Sequence, residues 1–192
     1  MQSALSARLR AGRGQRRGLP LSNWSTNQRL ALPQPDFLAA PVMEVVVEIP
    51  RWSFLKRGST GRVDFVSPLP CPFNYGAIPQ FIGLEGDLLD AVVLGARLPL
   101  GSVVQVRAVA SIALTDRGMT DDKLICCDRP PSVRELRDVA RFFHFYARCK
   151  ALLNRYRGLP GRNACDGWLP VDVSLRRARI RDTTSAMPQA SF

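Results

Sequence analysis

Hydrophobic and polar positions settle into recognisable periods from Met43 onward. Glu44-Val45-Val46-Val47-Glu48-Ile49-Pro50 is a β-branched run closed by proline, which predicts a strand. Gly61 to Val66 predicts a second, after the turn signal Gly58-Ser59-Thr60. Ser67 to Pro79 holds four prolines and a glycine, so it reads as a structured loop. Leu89 to Leu94, Gly101 to Leu114 and Lys123 to Cys127 predict a third, fourth and fifth strand. The pattern then changes. Ser132 and Glu135 stand at capping-box spacing, and Val139, Phe142, Phe143, Tyr146, Leu152 and Leu153 recur near a 3.6-residue period. Gly158 and Pro160 end that helix, and a weaker one covers 172–181. Strands followed by helices predict an α+β fold, predominantly β: a small five-stranded barrel with flanking helices.

Before Met43 no period is sustained. Residues 1–42 are rich in Arg, Ser, Gln, Pro and Gly and carry six Arg against one acid, Asp36. That composition fits a disordered extension, a targeting segment, or a start upstream of a true first residue at Met43. The domain is then expected over 43–182, with a flexible tail at 183–192. The whole chain has 192 residues and a net charge of +11, with 24 Arg and only three Lys. Such a length and 46% hydrophobic content suit one domain with a real core. No apolar run approaches the roughly 20 residues of a spanning helix, so a membrane partner is not expected. Five cysteines without a C-x-x-C pair, facing a single histidine, argue against a disulfide scaffold or a zinc site and for a reducing compartment, the cytoplasm.

The chemistry concentrates between residues 85 and 123. Glu85, Asp87 and Asp90 lie at i, i+2 and i+5, directly before a predicted strand. Asp116, Asp121 and Asp122 follow about a strand pair later, at another strand boundary with Lys123. Carboxylates gathered at strand ends repel unless something neutralises them, and a hard divalent cation such as Mg²⁺ suits oxygen ligands best.

The flanking segments complete a pattern. Glu48-Ile49-Pro50-Arg51 with Lys56, then Pro72-Phe73-Asn74-Tyr75-Gly76-Ala77-Ile78-Pro79, Glu85-Gly86-Asp87-Leu88-Leu89-Asp90, Asp116 to Lys123, and Phe142-Phe143-His144-Phe145-Tyr146 occur in that order. Across roughly residues 43–150 this resembles the family I soluble inorganic pyrophosphatases. The resemblance implies an OB-like barrel and hydrolysis of pyrophosphate to two phosphates, using several Mg²⁺ ions and a water attacking without a covalent enzyme intermediate. By position, Asp87 matches the family's general base. Glu85, Asp90, Asp116, Asp121 and Glu48 match carboxylates of the metal site. Lys56, Tyr75, Lys123 and Tyr146 match phosphate-binding groups. A homo-oligomer is also implied, commonly a hexamer in bacterial members.

Departures thin the outer shell. Glu85 replaces an aspartate, Leu88 a proline, Gly58 a glutamate, Arg117 an acid, Cys71 a tyrosine and Ala147 a lysine. Arg62 is one position off the family's phosphate-binding arginine; Arg148 or Lys150 are candidates to replace the lost lysine. A weakened barrel, one acting on another phosphoanhydride, or one binding nucleic acid are the alternatives. The last is disfavoured by 8% aromatic content and by acids lining the loops. His144 is expected to pack or face solvent, Arg155, Arg157 and Arg162 to form a solvated rim, and one of Cys126 and Cys127 to point outward.

Overall fold

A computed structural model describes residues 31–57, 63–66, 69–159 and 161–181. Most of the expected extension, the 183–192 tail, Gly58 and Arg62 lie outside the described residues. Five strands close a barrel: β1 (Val42–Ile49), β4 (Asn74–Ile82), β5 (Leu88–Val93), β8 (Lys123–Cys127) and β6 (Val103–Asp116), with β6 returning to pair with β1. All these pairings are antiparallel except β5 with β8. Two short strands, β2 (Leu55–Arg57) and β3 (Val63–Val66), form a separate hairpin. β7 (Met119–Thr120) and β9 (Ala164–Leu169) extend β6, and β10 (Arg179–Ile180) extends β4.

The expected barrel is present, with one strand exchanged. The segment read as a loop, 67–79, contains most of β4, while the strand read at 61–66 sits in the outlying hairpin. Pro79 misleads here because it falls where the β4–β5 register shifts between Ile78 and Ile82, an irregularity that needs no ladder donor. Gly76 explains another part of the motif: a Cβ there would lie 2.0 Å from the Val46 carbonyl oxygen, so β1 and β4 approach as only glycine permits. Asn74 is fully buried and uses all its polar capacity. Its Oδ1 accepts from the backbone N–H groups of Arg51 (3.0 Å) and Leu98 (2.8 Å), and its Nδ2 donates to the carbonyls of Val93 (3.3 Å) and Ala96 (2.7 Å). One side chain thus joins three loops around the end of the barrel.

The helix α1 (Val133–Tyr156) starts as expected. Ser132 Oγ accepts from the Glu135 backbone N–H, and the Glu135 carboxylate accepts from the Ser132 N–H. It ends at Gly158, whose φ of 67° suits glycine. Leu136, Val139 and Phe143 anchor it to Val92, Ile112, Ile125 and Trp168, and each such burial contributes roughly 1.5–3 kcal/mol. A second cluster gathers alternate residues of all five barrel strands, among them Val45, Ile78, Ala91, Val106 and Leu124, with Leu175 and Ala178 packed against it. The helix α2 (Val171–Arg177) is shorter than the expected 172–181, because the chain turns extended at Ala178 to let β10 bond to β4.

Burying β8 on both faces changes the cysteine reading. Cys126 packs in the second cluster and Cys127 under α1, so neither points outward. The expected boundary at residue 42 is also blurred. Ala40 is buried, Leu32 and Phe37 pack on the core under α1, and Arg107 donates to the carbonyls of Leu38 and Ala40 at 3.1 and 2.8 Å.

Candidate metal and phosphate site

Pairing of β5 with β8 sets Asp90 directly beside Lys123. The turn before β5 supplies Glu85, and the residues after the β6–β7 hairpin supply Asp121, whose backbone N–H donates to Leu114 at 2.9 Å. Oxygens of Glu85, Asp90 and Asp121 all lie within 4.8 Å of one another. Lys123, only 4% exposed, donates to both Asp90 and Asp121. Burial opposes the lysine's charge, but Asp121 and Asp90 hold its pKa well above the ordinary value. Glu85 responds in the opposite sense. Burial first, then Asp121, pushes its carboxyl up to about 8, and its Oε2 is buried without a hydrogen-bond partner.

Asp90 and Asp121 already outnumber the one ammonium, and ionising Glu85 beside them would deepen that surplus of negative charge in a half-buried place. That donor set, all hard oxygens with one orphaned, fits a divalent cation. Tyr75 stands at the edge of the group, its ring centroid 5.7 Å from Lys123 Nζ; burial and Asp90 raise its hydroxyl pKa, so it remains a donor. Glu48 occupies the irregularity in β1, next to Ile49, which pairs with Tyr75.

The outer acid Asp116 ends β6, and its Oδ2 accepts from Lys150 Nζ at 2.6 Å, while its Oδ1 is buried without a hydrogen-bond partner. Lys150 also lies over the Tyr146 ring, 5.9 Å from its centroid and one helical turn along α1. Of the two candidates to replace the missing lysine, Lys150 is the one bonded to an acid of the pattern. Arg148 instead lines a cleft of about 440 Å³ with Arg141, His144 and Trp168. The tip of the β6–β7 hairpin is pinned from outside: Gly118 donates to the Arg162 carbonyl at 2.9 Å and Arg117 to Asn163 Oδ1 at 3.3 Å. Arg162, expected on a solvated rim, is ion-paired to Asp166 and bonded to Thr115 Oγ1 at 3.2 Å.

Of the expected site residues, Asp87, Asp116, Glu48 and Tyr146 lie outside the triad itself. Asp87 is exposed on the turn ahead of β5, where its carbonyl accepts from Gly83 at 2.8 Å. Lys56 lies on β2, opposite Phe65. Cys71, standing where the family pattern has a tyrosine, is buried with its thiol pushed up to about 11 by that burial.

A closed five-stranded barrel with a lysine-bridged carboxylate triad at one strand pairing defines an OB-type barrel that carries an acidic cluster able to hold a cation. Comparison with known proteins narrows the class. A sequence profile described as Inorganic pyrophosphatase matches residues 45–175, and the chain belongs to that family. It is 36% identical over 132 residues to a soluble inorganic pyrophosphatase of Oryza sativa subsp. indica, covering 62% of each chain. It therefore spans less than two thirds of the rice relative's length. It is 35% identical over 168 residues to an inorganic pyrophosphatase of Haemophilus influenzae, covering 78% of this chain and 91% of that one. Among solved structures it resembles inorganic pyrophosphatases of Helicobacter pylori and Thermus thermophilus, each with a TM-score of 0.58 and 25% identity. The matches cover 75% and 80% of this chain and 92% and 94% of theirs.

Proposed function

We propose that the chain hydrolyses inorganic pyrophosphate to two phosphates, with Mg²⁺ as the divalent cofactor. The observation that carries this reading is the convergence of Glu85, Asp90 and Asp121 within 4.8 Å, bridged by Lys123, in a chain otherwise dominated by arginine. Divalent ions bound there supply Lewis acidity toward water and the phosphoryl oxygens. Glu85, Asp90 and Asp121 hold the inner ions; Asp116 and Glu48 serve the outer edge. Asp87, solvent-exposed on a turn, takes the proton of the attacking water as general base. Lys123, Tyr75, Lys56, Tyr146 and, on its position beside Asp116, Lys150 bind phosphate oxygens and stabilise the charge that grows on the leaving phosphate.

The proposal extends to the rest of the protein. The catalytic domain covers 43–182 together with the packed residues from 32 onward, and the chain works in the cytoplasm as a homo-oligomer. No described helix is long and apolar enough to cross a membrane. The outer face of α1 leaves Phe145, Leu152 and Tyr156 exposed, which supports contact between copies.

The test is phosphate release from pyrophosphate by the full chain, with and without Mg²⁺, and with ATP as a parallel substrate. Mg²⁺-dependent release from pyrophosphate alone is expected. Release from ATP in preference would move the assignment to another phosphoanhydride. No release from a folded protein would overturn it.

A further inference from the structure

Behind the carboxylate triad, on the opposite side of the same segment, lies a polar group that the proposed chemistry does not use. Neighbouring side chains of an extended segment point to opposite sides. Asp121 and Lys123 meet the triad, whereas Asp122 turns toward α2. Asp122 Oδ2 accepts from Arg177 Nη1 and from Ser174 Oγ, each at 3.0 Å. Ser174 Oγ is also 2.7 Å from Ser111 Oγ, which lies 3.2 Å from the backbone carbonyl of Lys123; with one proton each, the two hydroxyls fill two of their three contacts, to Asp122, to each other and to that carbonyl, at a time. The whole circuit is buried: Ser111 and Ser174 are at most 1% exposed, and the Asp122 and Arg177 side chains 5% and 7%.

The Asp122–Arg177 pair is the fixed part of this group, and it ties residue 122 to α2 between the two residues that reach into the site, with the serines packed between Asp122 and the carbonyl of residue 123. A buried ion pair is a poor source of net stability, because desolvation offsets most of its attraction. What it does provide is fixed geometry, since either partner moving alone strands a buried charge.

We infer that Asp122 and Arg177 are positioning residues, whose buried pair holds Asp121 and Lys123 in place and so sets the divalent-cation affinity of the triad. The inference rests on the reading of the triad as a metal and phosphate site. Hydrogen-bonding partners behind metal ligands commonly change metal affinity by about 10–100-fold when removed.

The test measures Mg²⁺ affinity by calorimetry without substrate, alongside the Mg²⁺ needed for half-maximal phosphate release, in the full chain. Asp122→Asn keeps the shape and removes the charge; both quantities are expected to weaken by about tenfold. Arg177→Lys retains the charge and is expected to stay between that variant and the unaltered protein. Ser132→Ala, at the distant helix cap, is the control: its Tm falls while Mg²⁺ affinity holds. Should Asp122→Asn fail to fold, Ser174→Ala carries the test, with a smaller loss of the same kind. Wild-type Mg²⁺ affinity in a folded Asp122→Asn, or an equal shift in Ser132→Ala, overturns the inference. If the unaltered chain neither binds Mg²⁺ nor releases phosphate, the metal-site reading fails and takes this one with it. If it does both while the variants match it, only the positioning role falls.

Discussion

Glu85 and Glu135 are the same side chain in two settings. Glu85 stands among Asp90 and Asp121, half-buried, and its carboxyl is pushed up to about 8. Glu135 stands in the first turn of α1, where Arg129 and the Ser132 cap bring it down to about 2. At neutral pH the first works against the fold that carries it, and the second supports it. A protein tolerates an arrangement of the first kind where a ligand completes it, so unfavourable electrostatics mark the site more sharply than acid content does.

Substitutions that separate activity from stability would break or sharpen this contrast. The largest effect is expected for Asp87→Asn, which is nearly isosteric but removes the basic oxygen. Its rate of phosphate release should fall by about 10²–10⁴-fold with the Tm unchanged, and an unaltered rate would remove Asp87 from the mechanism. Next is Glu85→Gln. Release should fall at least about tenfold, while the metal-free protein at pH 8 gains about 2–4 °C in Tm, the shift that about 1 kcal/mol gives a chain of this size.

The pH dependence follows with a definite sign. The folded pKa of Glu85 lies above its ordinary 4.5, so the metal-free fold binds that proton more tightly than the unfolded chain does. Its contribution to stability is full at low pH and is lost as pH rises from about 4.5 through about 8. Glu85→Gln, or saturating Mg²⁺, should flatten that decline in thermal scans. Glu135 runs the other way: its contribution is present above 4.5 and fades as pH falls toward about 2. The smallest effect is expected for Ser132→Ala, a loss of about 1 kcal/mol in denaturant unfolding with phosphate release untouched.

The legible parts of this molecule were those carried by local chemistry. The capping box, the Gly158 stop, the β-branched strands and the order of acidic motifs all depend on neighbours in sequence. β4 was not legible, because its prolines read as loop until the register irregularity around Pro79 accounts for them. Nor was Asn74, quoted within a motif yet acting through hydrogen bonds to residues 19 to 24 positions away. Glu85, Asp90 and Asp121 all stood among the acids of the pattern, but their grouping without Asp87 did not, and the Lys150–Asp116 pair spans 34 positions, so Lys150 was no more than one of two candidates for the lost lysine. Arg177 gave no sign at all, since in a chain with 24 arginines one more carries no weight.

The pairing of β5 with β8 has a consequence in time. Asp90 and Lys123 are neighbours across a parallel pairing whose connection runs through the long strand β6. A closure of that span carries its entropic cost before the contact forms, while α1, built from local bonds, can nucleate early. A half-folded chain with its helix and hairpins in place would still lack the Asp90–Lys123 pairing, so the acidic cluster is expected to assemble late, and a probe of that cluster would date the closing of the barrel.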